Sequence, residues 1–235
     1  MLKIRLYFSS TIILLFTASH CFAFSAVDKI YHPYVETNTW ELETRAISEL
    51  DNELAASLSV YRLGIGKDIT ENLFIEFYAI GNKDNSHTID IKAYEIEVLY
   101  QYTEQGEYWA DIGFLFEIEQ KTEDNEWEGN FAVLIEKEFG KWSATLNLHQ
   151  QYVFISDQKH EWEFKQAFQY RYRYSPAMEP GVELYVDQND VYLGAVLLGG
   201  NKLWHTSINW EIGLLQAVSN TEENLVLRML LELEF

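Results

Sequence analysis

From Leu225 onward the chain alternates with a period of two. Leu225, Leu227, Met229, Leu231, Leu233 and Phe235 fall on one face of an extended chain, and Val226, Arg228, Leu230, Glu232 and Glu234 on the other. A helix would scatter these side chains around its axis, whereas a strand sorts them into one apolar and one largely polar face. The same split recurs at Trp162, Phe164, Phe168, Tyr170, Tyr172 and Tyr174 against Glu163, Lys165, Gln169, Arg171 and Arg173. A chain built this way has two outlets for its apolar faces: the dry centre of a soluble sandwich or cup, or lipid around a closed barrel.

The N-terminus bears on that choice. Lys3 and Arg5 precede an apolar run from Ile12 to Phe16, and Cys21-Phe22-Ala23 follows. A basic start, a short apolar core and small residues at the end make a secretory signal peptide, with cleavage expected after Ala23. His20 stands where lipoprotein processing at Cys21 would need a small residue. Cys21 is the only cysteine, so the exported chain is expected to hold together by packing and hydrogen bonding alone. Loss of Lys3 and Arg5 takes the 17 basic residues to 15 against 37 acidic ones, a net charge of −22. Such a polyanion lacks the basic footprint that nucleic acid requires. After the signal no apolar run approaches the ~18 residues of a membrane-spanning helix. Membrane crossing by this chain would therefore use strands.

Period-two segments lie near 39–48, 54–66, 72–81, 89–103, 107–119, 127–139, 141–154, 161–174, 181–187, 190–199, 202–214 and 224–235. Most are close to the ~9–11 residues a tilted strand needs to cross a bilayer. The expected fold is an all-β antiparallel transmembrane β-barrel of about 12 strands. Residues 1–23 form the signal peptide, 24–38 an N-terminal periplasmic segment and 39–235 the barrel. An even strand number returns the chain to its starting rim. Turns on that rim are expected at Lys67–Glu71, Thr103–Gly106, Gly140, Ser175–Pro180 and Gly199–Asn201. Loops on the opposite rim are expected at Glu49–Glu53, Gly81–Thr88, Gln120–Glu126, Ile155–His160, Gln188–Asn189 and Leu215–Glu223.

Trp40, Leu42, Ile75, Phe77, Tyr108, Phe116, Ile118, Trp142, Leu148, Trp204, Ile208, Trp210 and Ile212 are expected to face outward. Their alternates form the candidate lumen: Glu41, Glu43, Arg45, Glu76, Glu95, Glu97, Asp111, Glu117 and Glu119 in the first half. Glu136, Lys165, Arg171, Arg173, Glu183, Glu211 and Arg228 continue it in the second. Buried charges without countercharge or water are costly, so this pattern disfavours a dry soluble cup. Arg45, Arg62, Lys165, Arg171, Arg173 and Arg228 are the natural partners of the carboxylates.

A terminal aromatic after an alternating strand resembles the C-terminal signature of Gram-negative outer-membrane barrels, which implies that Phe235 is an assembly signal read by the outer-membrane assembly machinery. Four further segments carry a second resemblance: Thr70-Glu71-Asn72-Leu73-Phe74, Glu104 to Gly113, Glu136-Lys137-Glu138-Phe139-Gly140-Lys141-Trp142, and Tyr174 to Glu183. They resemble a family of outer-membrane barrels known as transporters of the meta pathway of phenol degradation. The resemblance covers nearly all of the expected mature chain. It implies passage of small organic solutes, and its turn and girdle motifs contain no catalytic residue.

Two chemical alternatives stand beside transport. His205, Ser207 and Asn209 alternate on one segment, and a serine hydrolase needs a nucleophile, a base and an orienting group. Outer-membrane phospholipase A is a barrel with His, Ser and Asn near its outer surface. Here the flanking residues differ, and the alternation turns His205 and Ser207 inward. Pairs such as Glu95 and Glu97, or Glu117 and Glu119, offer acid–base or divalent-cation chemistry, yet alternating lumen positions generate such pairs without any dedicated site. His32, His87, His149, His160 and His205 show no metal-ligand spacing. The sequence thus points to a non-enzymatic, monomeric outer-membrane channel for small solutes, in contact with lipid and without cofactor or metal. Its acidic lumen should favour cations. A closed structural barrel and, further off, a lipid-active hydrolase using His205 and Ser207 remain the alternatives.

Overall fold

The computed structural model describes residues 27–50, 56–83, 88–123, 126–154, 160–188, 190–218 and 225–235. The expected signal peptide, with Cys21, lies outside them, as does at least part of every loop expected on the rim opposite the termini. Twelve strands follow in order: β1 (Trp40–Leu50), β2 (Ala56–Thr70), β3 (Leu73–Lys83), β4 (Asp90–Gln101), β5 (Asp111–Lys121) and β6 (Trp127–Phe139). The second half comprises β7 (Trp142–Phe154), β8 (Glu161–Tyr172), β9 (Glu179–Val186), β10 (Val191–Leu203), β11 (Thr206–Ala217) and β12 (Leu225–Glu234). Each pairs antiparallel with the next, and β12 returns to β1, so the sheet closes without an edge. The Trp40 N–H donates to the Phe235 carbonyl at 2.8 Å and the Phe235 N–H to the Trp40 carbonyl at 2.9 Å, sealing the seam at its last residue.

Closure decides which face of each strand is wet, dry or greasy. On β12, Met229 and Leu231 are exposed on the outer wall while Arg228 and Leu230 are buried inside. On β8, Trp162, Phe164 and Phe168 point out and Gln169 is buried. The outer wall carries aromatic clusters near both rims. Trp142 stacks on Tyr170 with ring centroids 4.8 Å apart beside the β6–β7 turn, and Tyr152 lies 4.6 Å from Trp162 near the other end. This arrangement suits a body whose middle meets hydrocarbon and whose rims meet headgroups.

Strand β2 runs on to Thr70, which narrows the turn expected at Lys67–Glu71, and two further turns depart from the sequence expectation. The connection between β4 and β5 spans residues 102–110, because the Asp111 carboxylate accepts the Gly106 N–H at 2.7 Å and the Thr103 hydroxyl accepts the Ile112 N–H at 2.8 Å. These bonds, with Gly106 at φ 75°, hold a loop open where alternation suggests a strand. Tyr108 and Trp109 therefore sit exposed on the rim instead of within β5. The second departure is at Gly199–Asn201, which does not turn. Strand β10 runs on to Leu203, and the turn falls at Trp204–His205. The glycine there serves close approach: a Cβ on Gly199 would stand 2.4 Å from the Ala177 carbonyl and 2.6 Å from the Trp210 ring. That space admits the β8–β9 turn, whose Pro176 carbonyl accepts the Gly200 N–H at 2.7 Å. Glycine marks a contact here and not a reversal.

Candidate functional site in the barrel lumen

The lumen is occupied by the chain itself. The sequence reading puts residues 24 to 38 on the periplasmic side, but residues 27 to 35 run inside the barrel. The cause lies in their composition: Val27, Ile30 and Tyr31 need burial, and the wall supplies it. Val27 and Ile30 pack with Ile47, Ala167, Tyr185, Tyr192, Leu215 and Val226. Tyr31 packs with Leu115, Ala132 and Leu134.

Polar groups of the same segment meet partners on the wall. Asp28 pairs with Arg45 and, at 3.3 Å, with Arg62. Its carbonyl accepts bonds from the Tyr185 hydroxyl and the Arg228 guanidinium. Lys29 Nζ reaches Glu43 at 2.5 Å. The Tyr31 N–H donates to Asn147 and Asn147 donates back to the Tyr31 carbonyl, both at 2.8 Å. The Tyr31 hydroxyl donates to Glu97 at 2.5 Å and lies 3.2 Å from Glu117. His32 Nδ1 is 2.5 Å from Glu136, the Tyr34 hydroxyl donates to Asp111 at 2.8 Å, and the Val35 N–H donates to Gln101 at 2.8 Å. These wall partners satisfy the Tyr31 and Val35 N–H groups and the Asp28 and Tyr31 carbonyls without helix or strand.

Every lumen residue expected from the alternation, from Glu41 to Arg228, is buried or half-buried. Glu43, Arg45, Glu76, Glu95, Glu97, Asp111, Glu136, Glu183 and Arg228 are buried outright. Like charges face each other across neighbouring strands: Glu76 is opposite Glu97, Glu97 opposite Glu117, and Glu95 opposite Glu119. Glu41 and Glu43 stand opposite Glu234 and Glu232. Unrelieved, such pairs destabilise a sheet. Relief comes from Arg62, 2.6 Å from Glu95, from the Tyr31 hydroxyl between Glu97 and Glu117, and from Asn209, which donates to Glu232 and Glu234 at 2.9 Å each.

Further cations are paired along the wall. Arg171 lies 3.5 Å from Glu136 and 3.6 Å from Glu179, and Arg173 lies 2.6 Å from Glu138. Arg228 bridges Glu183 at 2.8 Å and Glu211 at 3.0 Å, while Lys165 Nζ donates to Gln151 at 2.7 Å. Arg45 holds Glu43 at 2.7 Å. Asn147 and Tyr78, which no charge pattern signals, are fully buried members of the same interior. The strap residues Asp28, Lys29, Tyr31, His32 and Tyr34 are the larger omission. The clue available was a run too rich in aromatic and apolar residues for an exposed tail.

The hydrolase constellation is not assembled. His205 lies exposed in the turn beside Trp204, itself 90% exposed with φ 60°, so His205 does not face the lumen as the alternation implies. Ser207 faces the interior from β11, where Asn209 is committed to Glu232 and Glu234. The turn separates base from nucleophile.

Between the strap and the rim that carries Trp40 and Phe235 lies a cavity of about 650 Å³. Lys29, Tyr31 and Tyr34 line it from the strap, Glu41, Glu76, Glu232 and Glu234 from one part of the wall, and Arg171, Arg173 and Lys202 from another. Phe74, Leu99 and Leu198 add apolar surface to a largely polar lining.

No protein-family model matches the sequence, and no curated protein does. Solved structures do match the fold. The COG4313 outer membrane channel from Pseudomonas putida F1 superposes with a TM-score of 0.58 at 12% identity, over 89% of this chain and 100% of that one. The KdgM porin superposes at 0.54 and 12% identity, covering 83% and 99%. In complex with disordered oligogalacturonate it superposes at 0.53 and 11% identity. At such identities the likeness is one of fold: a closed antiparallel barrel of the kind outer-membrane channels use.

Proposed function

We propose that this protein is an outer-membrane channel for small solutes whose conduit is acidic and is closed by its own N-terminal strap. The observation that carries the reading is the carboxylate track inside the barrel. It passes from Glu232, Glu234 and Glu41 at the rim through Glu43 and Glu76 to Glu97, Glu117 and Glu95. A conduit walled by low-dielectric protein focuses the field of such groups and favours cations over anions. Acidic oligosaccharides such as the oligogalacturonate held by the KdgM porin would be repelled. Neutral aromatic solutes, which the resemblance to phenol-pathway transporters implies, would meet Phe74, Leu99 and Tyr34 in the rim cavity.

Closure follows from the strap's bonds, and opening requires their exchange for water or solute. The measurement that tests the acidic conduit is the reversal potential of a barrel lacking residues 24–35 under a potassium chloride gradient. Cation selectivity is expected, weakening as screening shortens to ~3 Å at about 1 M salt. An anion-selective sign would overturn it. A second reading, a closed structural barrel, draws on the filled interior around Tyr78, Leu115 and Leu134. It predicts no current from the shortened protein.

A further inference from the structure

One part of the acidic track is built as a recess. Glu41 and Glu43 come from β1 and Glu76 from β3, with β2 between them, and one carboxylate oxygen of each lies within 4.8 Å of the others. They meet because β2 presents Gly64 and Gly66 at this level. Gly64 is opposite Glu43 on one side and Tyr78 on the other, while Gly66 is opposite Glu41 and Glu76. A Cβ on Gly64 would stand 2.2 Å from Glu76 Oε1, and one on Gly66 would stand 2.3 Å from the Phe74 ring. The Glu76 side chain lies over the bare backbone. Glu76 is only 1% exposed, yet its Oε1 has no hydrogen-bond partner. An unpaired buried carboxylate oxygen is a standing invitation to a donor.

Two donors reach the recess: Arg45 of β1 holds one oxygen of Glu43 at 2.7 Å, and the strap brings a lysine to the other. Lys29 Nζ sits 2.5 Å from Glu43 and 5.0 Å from the centre of the Tyr31 ring, and it lines the rim cavity together with Glu41 and Glu76. An ammonium group on an alkyl stem, delivered by a segment that is not part of the barrel wall, is the form in which a small amine would arrive. We infer that the recess formed by Glu41, Glu43 and Glu76 over Gly64 and Gly66 is a subsite for primary ammonium groups, held in this state by Lys29 in place of a solute. The site names a cationic solute class for the proposed channel, and its use in transport rests on that reading. Access does not require the strap to leave, since Glu41 and Glu76 already border the cavity.

The test uses the full exported chain, folded in detergent micelles, with n-butylammonium as probe and calorimetry as readout. Lys29→Met removes the resident ammonium while keeping most of the stem. The variant should bind the probe saturably and roughly tenfold or more tighter than the wild type, where the tethered lysine competes at high effective concentration. Adding Glu76→Gln should weaken that binding by about tenfold. No saturable binding to a folded Lys29→Met barrel, equal binding by wild type, or indifference to Glu76→Gln would overturn the site. Displacement of the amine by calcium ions at lower concentration than by a second amine would reassign it to a metal and overturn the ammonium class. Should Lys29→Met not fold, Glu76→Gln alone serves: Lys29 acylation, followed by mass spectrometry, should accelerate several-fold, and an unchanged rate would overturn the assignment of Glu76 to the ammonium site. Binding in micelles needs no ion flow. A barrel that binds amine but passes no current would overturn the channel and leave the site, and one that conducts without binding would do the reverse.

Discussion

At the scale of single residues the interior is held by ion pairs whose value depends on burial. Arg228 is fully buried between Glu183 and Glu211 and also contacts the Asp28 carbonyl. Arg228→Met would strand two carboxylates, and removing one partner of a buried pair costs about 3–5 kcal/mol. Urea unfolding in lipid should register a loss of that order. Lys92→Met, which breaks an exposed pair with Glu123, should change stability by less than about 1 kcal/mol. A smaller effect at position 228 than at 92 would mean that the interior pairs carry no structural weight. The inward placement of Arg228, Glu183 and Glu211 is readable from period two alone, because closure puts every second side chain on one face. Their pairing is only partly so: β11 and β12 are neighbours, but β9 reaches Arg228 across β10 and β11 only once the sheet has curled. Asn147 illustrates the limit: nothing local distinguishes it from any polar lumen residue, and its partner, Tyr31, is 116 positions away.

At the scale of elements, twelve alternating segments became twelve strands because a closed antiparallel sheet lets every strand pair on both sides while sorting alternate side chains inward and outward. Turns were less legible. Gly199 and Gly200 read as a reversal, but they are strand residues thinned to admit the Ser175–Met178 turn, and the reversal is made by Trp204 at positive φ. Glycine meets both needs, and only the three-dimensional neighbour tells which applies. Gly199→Val should therefore impair folding by forcing β10 off the Ala177 carbonyl and the Trp210 ring. A heat-modifiable band reduced several-fold in outer-membrane fractions is expected, whereas wild-type levels would contradict the close approach. Deleting Phe235 removes both backbone bonds to Trp40 at the seam. Its loss is expected to lower the folded fraction in cells in the same assay, and unchanged assembly would remove Phe235 from any signalling role.

At the scale of the whole molecule, the decisive feature is the strap. Its residues show neither helical nor strand periodicity, so no pattern rule locates them, and their aromatic and apolar content gains meaning only beside a barrel wall that matches it. The proposed channel has two parts: a carboxylate-lined lumen, and a segment bound across it through Asp28, Lys29, Tyr31 and His32. The central claim is that the second part shuts the first. Single-channel recording in planar bilayers tests it most directly, comparing the exported chain with the same chain lacking residues 24–35. The account predicts a silent or rarely opening full-length protein and a steadily conducting shortened one. Equal conductance from the two, or silence from both folded barrels, would contradict it.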